Sequence, residues 1–229
     1  MEKNITITAI SGWAIPENWF AEQLKFAFPN SQLKIIYPEN PSSKEEARNI
    51  LKLFPSQLYI GYSLGSLWLL KYQSFLPQNC QKAIISPILA FLDKGNLGGK
   101  TSESQLKYLI KLLTRSSNYE EVLRKFFFDA KLPYPEAHAH EIRDKEILIK
   151  GLEFLKDSSV TGNDTNEFIS IIGEDDTFLD AEVLKNHIPH LKIIKGVGHS
   201  PIPLLNKLAK YLLCLLYTSP SPRDGLLSR

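Results

Sequence analysis

The chain has 229 residues, of which 43% are hydrophobic and 23% charged, fractions that are ordinary for a globular protein and exclude disorder as the main state. The 27 basic and 25 acidic side chains leave a net charge of +2, without the concentrated positive charge that a nucleic-acid partner requires. Cys80 and Cys214 are the two cysteines and lack metal-ligand spacing, so we expect no metal and a reducing compartment. We expect no cofactor either.

The first residues alternate polar and apolar side chains over Ile5–Ile10. This is the pattern of a strand, whereas a signal peptide has a continuous apolar core. The longest apolar run, Leu212 to Tyr217, is shorter than the roughly 18 residues of a membrane-spanning helix. We therefore expect a cytoplasmic protein without a membrane partner.

Strand and helix patterns alternate through the first 90 residues. Apolar or alternating runs predict strands at 5–10, 33–37, 57–62 and 82–86. Amphipathic runs predict helices at 19–28, 44–53 and 64–75, and Pro55 stands just beyond the second of these as a stop signal. The alternation predicts an α/β protein with right-handed crossovers and a mostly parallel, twisted sheet covered by helices on both faces.

The pattern then changes between residues 89 and 158, where strand signals become rare. Helical periodicity is found at 105–113, 119–128 and 137–156. Strand patterns resume at 167–173 and 191–194, with helical patterns at 181–187 and 202–216. We predict a core formed by residues 1–88 and 159–216 and a helical cap formed by 89–158. The Ser-, Pro- and Arg-rich tail at 217–229 is predicted to be disordered or non-native.

A Gly-x-Ser-x-Gly motif at residues 61–65 lies between a predicted strand and a predicted helix. A nucleophile elbow needs such a sharp strand-to-helix turn, with small residues two positions either side of the serine. The helix N-terminus behind the turn stabilises negative charge. A chance Gly/Ser turn is the alternative, but the context favours Ser63 as a nucleophile.

A serine hydroxyl needs a base, and His199 is the best placed histidine. It follows the predicted strand 191–194 and precedes the last helix, in agreement with the chain order of serine, acid and histidine in hydrolases with such an elbow. Two of the other histidines, His138 and His140, fall in the predicted cap. The last two, His187 and His190, flank a predicted helix end beside Pro189.

Three carboxylates compete to orient that histidine, because the predicted strand 167–173 runs into Glu174, Asp175 and Asp176. A Gly-x-x-Asp spacing from Gly173 selects Asp176. Asp175 is the alternative, and Glu174 fits a solvated turn. The negative charge that develops on the substrate requires two backbone N–H donors. We assign them to Leu64, which follows the serine, and to Trp13, whose ring also suits the core or the substrate pocket.

Five motifs together resemble the α/β-hydrolase superfamily across residues 5–213. They are Ser-Gly-Trp-Ala at 11–14, Gly-Tyr-Ser-Leu-Gly-Ser-Leu at 61–67, Gly-Leu-Glu-Phe-Leu-Lys at 151–156, Gly-Glu-Asp-Asp at 173–176 and Gly-His-Ser-Pro at 198–201. The order and lengths of these blocks are most similar to the pimeloyl-acyl-carrier-protein methyl ester esterases of biotin synthesis. Two positions depart from that pattern: many relatives have His where this chain has Ser11, and often Gly in place of Ser66.

The resemblance implies a serine carboxylesterase that cleaves the methyl ester of pimeloyl carried on acyl carrier protein. It places Arg124 and Lys125 on a carrier-docking helix and Phe126 in an acyl tunnel. Positive charge at positions 107, 111, 115, 124, 125 and 131 suits an acidic carrier, although exposed cations are usually only solvated. Phe127 and Phe128 are expected to pack within the cap.

Two other functions are compatible with the same residues. A general short-acyl carboxylesterase or thioesterase would use the same Ser63, His199 and Asp176 with a different pocket. A non-catalytic receptor with the hydrolase fold would bind a small molecule or a protein, but it would have no need of all three residues.

Overall fold

The computed structural model describes residues 5–218, and six parallel strands form its sheet in the order β2-β1-β3-β4-β5-β6. The strands are β1 (Ile5–Ile10), β2 (Ser31–Ile36), β3 (Leu58–Tyr62), β4 (Gln81–Ile85), β5 (Ile169–Gly173) and β6 (Lys192–Ile194). All five residues of β3 are buried. Because successive side chains point to opposite faces of a sheet, this burial shows that both faces are covered. The predicted α/β class and parallel sheet are confirmed.

Five helices connect or follow the strands: α1 (Glu17–Ala27), α2 (Lys44–Leu53), α3 (Leu64–Lys71), α7 (Ala181–His187) and α8 (Pro201–Thr218). Helix α2 has the predicted bounds because Ser43 caps it, accepting a hydrogen bond from the N–H of Glu46. Helix α8 runs two residues into the predicted tail, and residues 219–229 lie outside the described part of the chain. No helix within residues 5–218 is long and apolar enough to cross a membrane.

Three further helices lie between β4 and β5: α4 (Glu103–Arg115), α5 (Glu120–Asp129) and α6 (Lys145–Asp157). Helix α6 packs against α4 and α3. It is also tied to the loop after β1, since the indole Nε1 of Trp13 donates to the Leu148 carbonyl at 2.8 Å. These helices therefore stand next to the end of the sheet from which the β1 loop emerges.

The predicted helix at 137–156 is wrong in its first half. A short 3₁₀ turn, Glu136–Glu141, is followed by extended backbone at Ile142, and α6 begins only at Lys145. Packing against α1 explains the break: the Glu141 carboxylate accepts hydrogen bonds from the backbone and side chain of Asn18. His138 bridges Glu141 and Glu22, at 3.0 and 3.2 Å. The tertiary contact thus overrides the helical periodicity.

Candidate active site

The turn between β3 and α3 holds Ser63 in a strained conformation, with φ 54° and ψ −116°. Such a positive φ is costly for a residue with a side chain and is common at functional sites. The turn is possible because the residues two positions before and after Ser63 are glycines, which have no Cβ. A Cβ on Gly61 would lie 2.6 Å from the Gly65 carbonyl oxygen, and a Cβ on Gly65 would lie 2.2 Å from the Ile10 carbonyl oxygen. The glycines let the turn fold tightly against the end of β1.

Ser66 fixes the same turn from inside the core. Its fully buried hydroxyl donates to the Ser63 carbonyl at 2.6 Å and accepts from the Ile88 N–H at 3.0 Å. The hydroxyl also lies 3.3 Å from the Ser86 carbonyl oxygen. One side chain therefore joins the serine turn to the segment that leaves β4, a role that the sequence did not reveal.

Ser63, His199 and Asp176 form a continuous hydrogen-bonded relay. The Nε2 of His199 lies 2.9 Å from the Ser63 Oγ, and its Nδ1 lies 2.7 Å from the Asp176 Oδ2. All three residues are buried. The hydroxyl of the buried Tyr62 donates to the His199 carbonyl at 2.9 Å and holds the loop that carries the histidine. Burial, reinforced by the charge of Asp176, raises the Tyr62 pKa well above its usual value, so the hydroxyl stays protonated and keeps donating.

The Asp176 carboxylate is ionised in spite of its burial. Desolvation by itself raises its pKa, but the charge and hydrogen bond of His199, the backbone N–H of Phe178 and the nearby Ser86 hydroxyl together outweigh that effect. The net pKa lies below its ordinary value. The other carboxylate oxygen, Oδ1, accepts from the N–H groups of Phe178 and Leu179 at 3.0 and 3.2 Å. The aspartate is thereby held as a charged acceptor for the imidazole.

The competing acidic residues point elsewhere. Asp175 and Glu174 are exposed, and the Glu174 carboxylate accepts from the Gly196 N–H at 3.2 Å. The four other histidines lie away from Ser63 and hydrogen-bond or pair with other residues, namely His138, His140, His187 and His190. Geometry therefore brings together Ser63, Asp176 and His199 from the set of candidates.

The two residues assigned as oxyanion donors, Leu64 and Trp13, come from the serine turn itself and from the loop after β1. Leu64 is the first residue of α3, and the first N–H groups of a helix have no partner within it. Trp13 lies in the loop after β1, which Gly65 allows to approach the serine turn. A Cβ on Gly151 of α6 would meet the Trp13 ring at 2.9 Å and the Leu64 side chain at 3.3 Å. The glycine of the 151–156 motif thus lets α6 close over both residues.

A cavity of about 660 Å³ opens beside Ser63. Five aromatic rings line it, those of Trp13, Phe91, Tyr108, Phe126 and Phe178, together with leucines at positions 106, 109, 112, 152 and 155. Phe126 meets Trp13 edge-on with the ring centres 4.6 Å apart and stacks on Phe178 at 5.5 Å. Phe178 in turn meets the His199 ring edge-on at 5.0 Å. The walls suit an apolar chain that reaches the serine.

The structure separates the three consecutive phenylalanines. Phe126 lines the cavity and Phe127 is buried, but Phe128 is 81% exposed, so its expected packing within the cap is wrong. The reason is helical geometry, because α5 turns successive side chains by about 100°. Phe178 was not singled out in the sequence, since a lone aromatic after the acid carries no periodic signal.

Arg124 and Lys125 are both neutralised by carboxylates of the same region. Arg124 contacts Glu120 at 2.8 Å and Glu136 at 2.6 Å, and hydrogen bonds to these two carboxylates raise its pKa. Lys125 pairs with Asp129 at 3.0 Å. Lys125 lines the cavity whereas Arg124 does not. Neither side chain is the free surface cation that its place in the sequence suggested.

No group of His, Cys, Asp and Glu within residues 5–218 is arranged to hold a metal ion. The chemistry available at this site is that of a serine activated by a histidine, beside an apolar cavity. Such an arrangement can transfer an acyl group from a carbonyl compound to the serine and then to water.

Comparison with known proteins identifies solved structures with a similar fold. Neither the family models nor the curated proteins match the chain. Among solved structures, an N-acyl homoserine lactonase has 14% identity, covers 99% of this chain and 92% of its own, and has a TM-score of 0.69. A bottromycin epimerase has 13% identity, coverages of 93% and 91%, and a TM-score of 0.67. A thermophilic esterase from Thermogutta terrifontis has 12% identity, coverages of 93% and 90%, and a TM-score of 0.61.

The chain therefore has the α/β-hydrolase fold. Proteins named as a lactonase, an epimerase and an esterase share this architecture with it. Because one fold hosts several reactions, the reaction of this chain has to be argued from its own site.

Proposed function

We propose that the protein is a serine hydrolase that cleaves carboxylic esters through an acyl-enzyme. The observation that carries this proposal is the unbroken relay from Ser63 Oγ through His199 to Asp176, with contacts of 2.9 and 2.7 Å, at the wall of an apolar cavity. A non-catalytic receptor would have no use for a strained serine, a buried ionised aspartate and a histidine joined in this way.

In the proposed mechanism, Ser63 Oγ attacks the ester carbonyl carbon while His199 Nε2 takes the hydroxyl proton. The N–H groups of Leu64 and Trp13 stabilise the oxyanion of the tetrahedral intermediate. His199 then returns the proton to the departing alkoxide, and an alcohol leaves. Water, deprotonated by His199, attacks the acyl-serine. The bond from the acyl carbon to Ser63 Oγ breaks, His199 returns the proton to Oγ, and the carboxylic acid is released. Asp176 keeps Nδ1 of the imidazole protonated throughout, so that Nε2 is free to accept.

Hydrolysis of a chromogenic short-acyl ester by Ser63→Ala tests this class of reaction. We expect turnover to fall on the order of 10⁶-fold, as for loss of a triad nucleophile in other serine hydrolases. Ser74→Ala, which removes a hydroxyl from an exposed serine outside the cavity, is the matched control and retains activity. Activity of Ser63→Ala within tenfold of the wild type would refute the proposal.

For the natural substrate, we propose the methyl ester of a pimeloyl-type chain held on acyl carrier protein, in the cytoplasm. The motif resemblance and the size and apolar walls of the cavity support this choice. Docking of the carrier on Arg124 and Lys125 would require the acidic partner to replace Glu120, Glu136 and Asp129 in their ion pairs. Exposed ion pairs contribute only about 0–1 kcal/mol each, so such an exchange is energetically accessible.

Rescue of a biotin auxotroph that lacks its own esterase tests the carrier-bound substrate. We expect growth with the wild type and none with Ser63→Ala. Reversal of both cations to Glu is expected to raise KM for the carrier-bound ester at low salt but not for a small free ester. Failure to rescue, combined with full activity on small esters, would favour the second candidate. That candidate is a general short-acyl esterase or thioesterase, which the neutralised state of Arg124 and Lys125 favours.

A further inference from the structure

One ammonium group in the wall of the cavity has no anionic partner. Lys100 Nζ donates to two backbone carbonyl oxygens, that of Asp176 at 2.7 Å and that of Leu179 at 3.5 Å. Within residues 5–218 it makes no ion pair with a carboxylate. The other cation of the wall, Lys125, is already neutralised by Asp129. Glu121 also lines the cavity, but it forms no ion pair with Lys100 in the described part of the chain.

The backbone fixes the position of this ammonium group. The segment 98–101 runs antiparallel to the loop that carries the catalytic acid, with a bridge between Gly99 and Leu179. The Lys100 N–H donates to the Phe178 carbonyl at 2.9 Å, and the Asp180 N–H donates to the Gly98 carbonyl at 2.7 Å. The side chain is exposed, so a ligand in the cavity can reach it. Two carbonyl contacts leave the third N–H of the ammonium available.

A second polar group lies beside Lys100 and also lacks a partner. The buried Thr177 Oγ1 makes no hydrogen bond to any described residue, and Thr177 lines the same cavity. A buried hydroxyl without a partner costs about 1–3 kcal/mol, unless a ligand or water satisfies it. A rotation of the Thr177 side chain would turn this hydroxyl towards the cavity, where it would join the Lys100 ammonium as a donor to a carboxylate.

We propose that Lys100, assisted by Thr177, is a specificity-determining residue that selects esters bearing a second, free carboxylate. This inference rests on the proposed esterase function but names a substrate class different from the carrier-bound ester. A pimeloyl chain with a methyl ester at one end and a carrier thioester at the other has no free carboxylate. The carboxylate can belong to the acyl chain, as in the monomethyl ester of a dicarboxylic acid, or to the alcohol that leaves. The shared chemistry is an anionic oxygen pair that meets the Lys100 ammonium while the ester carbonyl lies at Ser63.

The test compares kcat/KM for two matched series at low ionic strength. One series contains monomethyl esters of linear dicarboxylic acids of increasing length, and the other contains neutral methyl esters of monocarboxylic acids of the same length. A third set, butanoyl esters of hydroxy acids, carries the carboxylate on the leaving alcohol. The ratio of anionic to neutral kcat/KM is expected to peak at one chain length or in one of the two anionic sets, which identifies the source of the carboxylate.

Lys100→Met is expected to lower this ratio by about three- to tenfold, the range for a partly exposed charge-assisted contact. Lys100→Arg keeps the charge and is expected to retain a higher ratio than Lys100→Met. Lys52→Met removes an exposed cation that lies outside the cavity and is the matched control, with a ratio within about twofold of wild type. An unchanged ratio in Lys100→Met, or equal losses on anionic and neutral esters, would overturn the inference, because Lys100 would then only position the Asp176 loop.

Two further measurements keep the test independent of how well that variant folds. Lys100→Gln provides a second neutral substitution. With the wild type, added salt should reduce kcat/KM for the anionic series more than for the neutral one, since it screens the ammonium group. Equal salt dependence of the two series would also refute the inference. If the wild type hydrolyses none of these esters, the proposed esterase function is refuted instead. Failure of the inference about Lys100 and failure of the proposed function therefore give different results.

Discussion

Replacement of Asp176 by Asn tests the relay most directly, because it keeps the shape of the side chain but replaces the acceptor oxygen that faces His199 with a donor NH2 group. The Asn side-chain oxygen can still accept from the N–H groups of Phe178 and Leu179, which now bond to Oδ1 at 3.0 and 3.2 Å. The amide nitrogen then faces His199 Nδ1 in place of the carboxylate oxygen at 2.7 Å. Because an amide N–H donates, it favours the His199 tautomer in which Nδ1 is unprotonated and Nε2 carries the proton.

A protonated Nε2 cannot accept the proton of Ser63, although their 2.9 Å contact is retained. Loss of the correct tautomer costs about 10⁴-fold in kcat in a serine protease. At 1.36 kcal/mol for each factor of ten, this corresponds to about 5 kcal/mol of transition-state stabilisation. We expect a loss of this size for Asp176→Asn, measured as kcat on a chromogenic ester, with KM changed much less.

Asp175→Asn is the matched control, since that neighbouring carboxylate is exposed and outside the relay; it should retain activity within a fewfold of wild type. The free energy of unfolding of each variant, measured in parallel, distinguishes a catalytic loss from unfolding. The pKa of Asp176 is lower in the folded protein than when it is unfolded, so its charge stabilises the fold above about pH 4 and the effect is lost as pH falls through the folded value. Asp176→Asn should therefore be less sensitive to acid than wild type. Activity of Asp176→Asn within tenfold of wild type, or a larger loss in Asp175→Asn, would refute the reasoning.

Three other substitutions probe the packing around the site. Gly65→Ala places a Cβ 2.2 Å from a backbone oxygen and should lower the free energy of unfolding by about 1–3 kcal/mol or more, measured by denaturant titration. Gly198→Ala is the control, since its Cβ would have no neighbouring atom nearer than 3.5 Å, and it should have little effect in the same titration. Phe127→Ala should cost about 3–5 kcal/mol, as for a buried aromatic, and the exposed Phe128→Ala less than about 0.5 kcal/mol; similar losses would contradict the assigned orientations. Hydrogen bonding, chiefly from Glu141, raises the His138 pKa above its ordinary value of 6.5. The ion pairs of protonated His138 therefore stabilise the fold below pH 6.5, and this stabilisation is lost as pH rises through the raised pKa. The fall in melting temperature from pH 6 to pH 8 should accordingly be smaller in His138→Gln, and an equal fall would contradict a stabilising role for the His138 ion pairs with Glu141 and Glu22.

The serine turn was predictable from sequence because its determinants are local. Five consecutive residues specify the turn: Gly61 and Gly65 permit contacts that a Cβ would block, and the runs on either side have the periodicity of a strand and a helix. The same locality explains why α2 has its predicted bounds, set by the Ser43 cap and the nearby Pro55. Hydrophobic alternation likewise sufficed to predict a parallel sheet, because βαβ connections leave little other choice.

The remaining features depend on residues that are far apart in sequence. Spacing favoured Asp176 over Asp175, but only the approach of His199 in the fold shows which carboxylate meets the imidazole. The predicted helix at 137–156 is interrupted because α1 offers Glu141 better partners than helix propagation does. Lys100 carried no sequence signal, since its unpaired state follows from the antiparallel contact between two loops about 80 residues apart. Local sequence determines turns and periodic elements, whereas charge pairing and side-chain orientation depend on which distant segments the tertiary fold brings together.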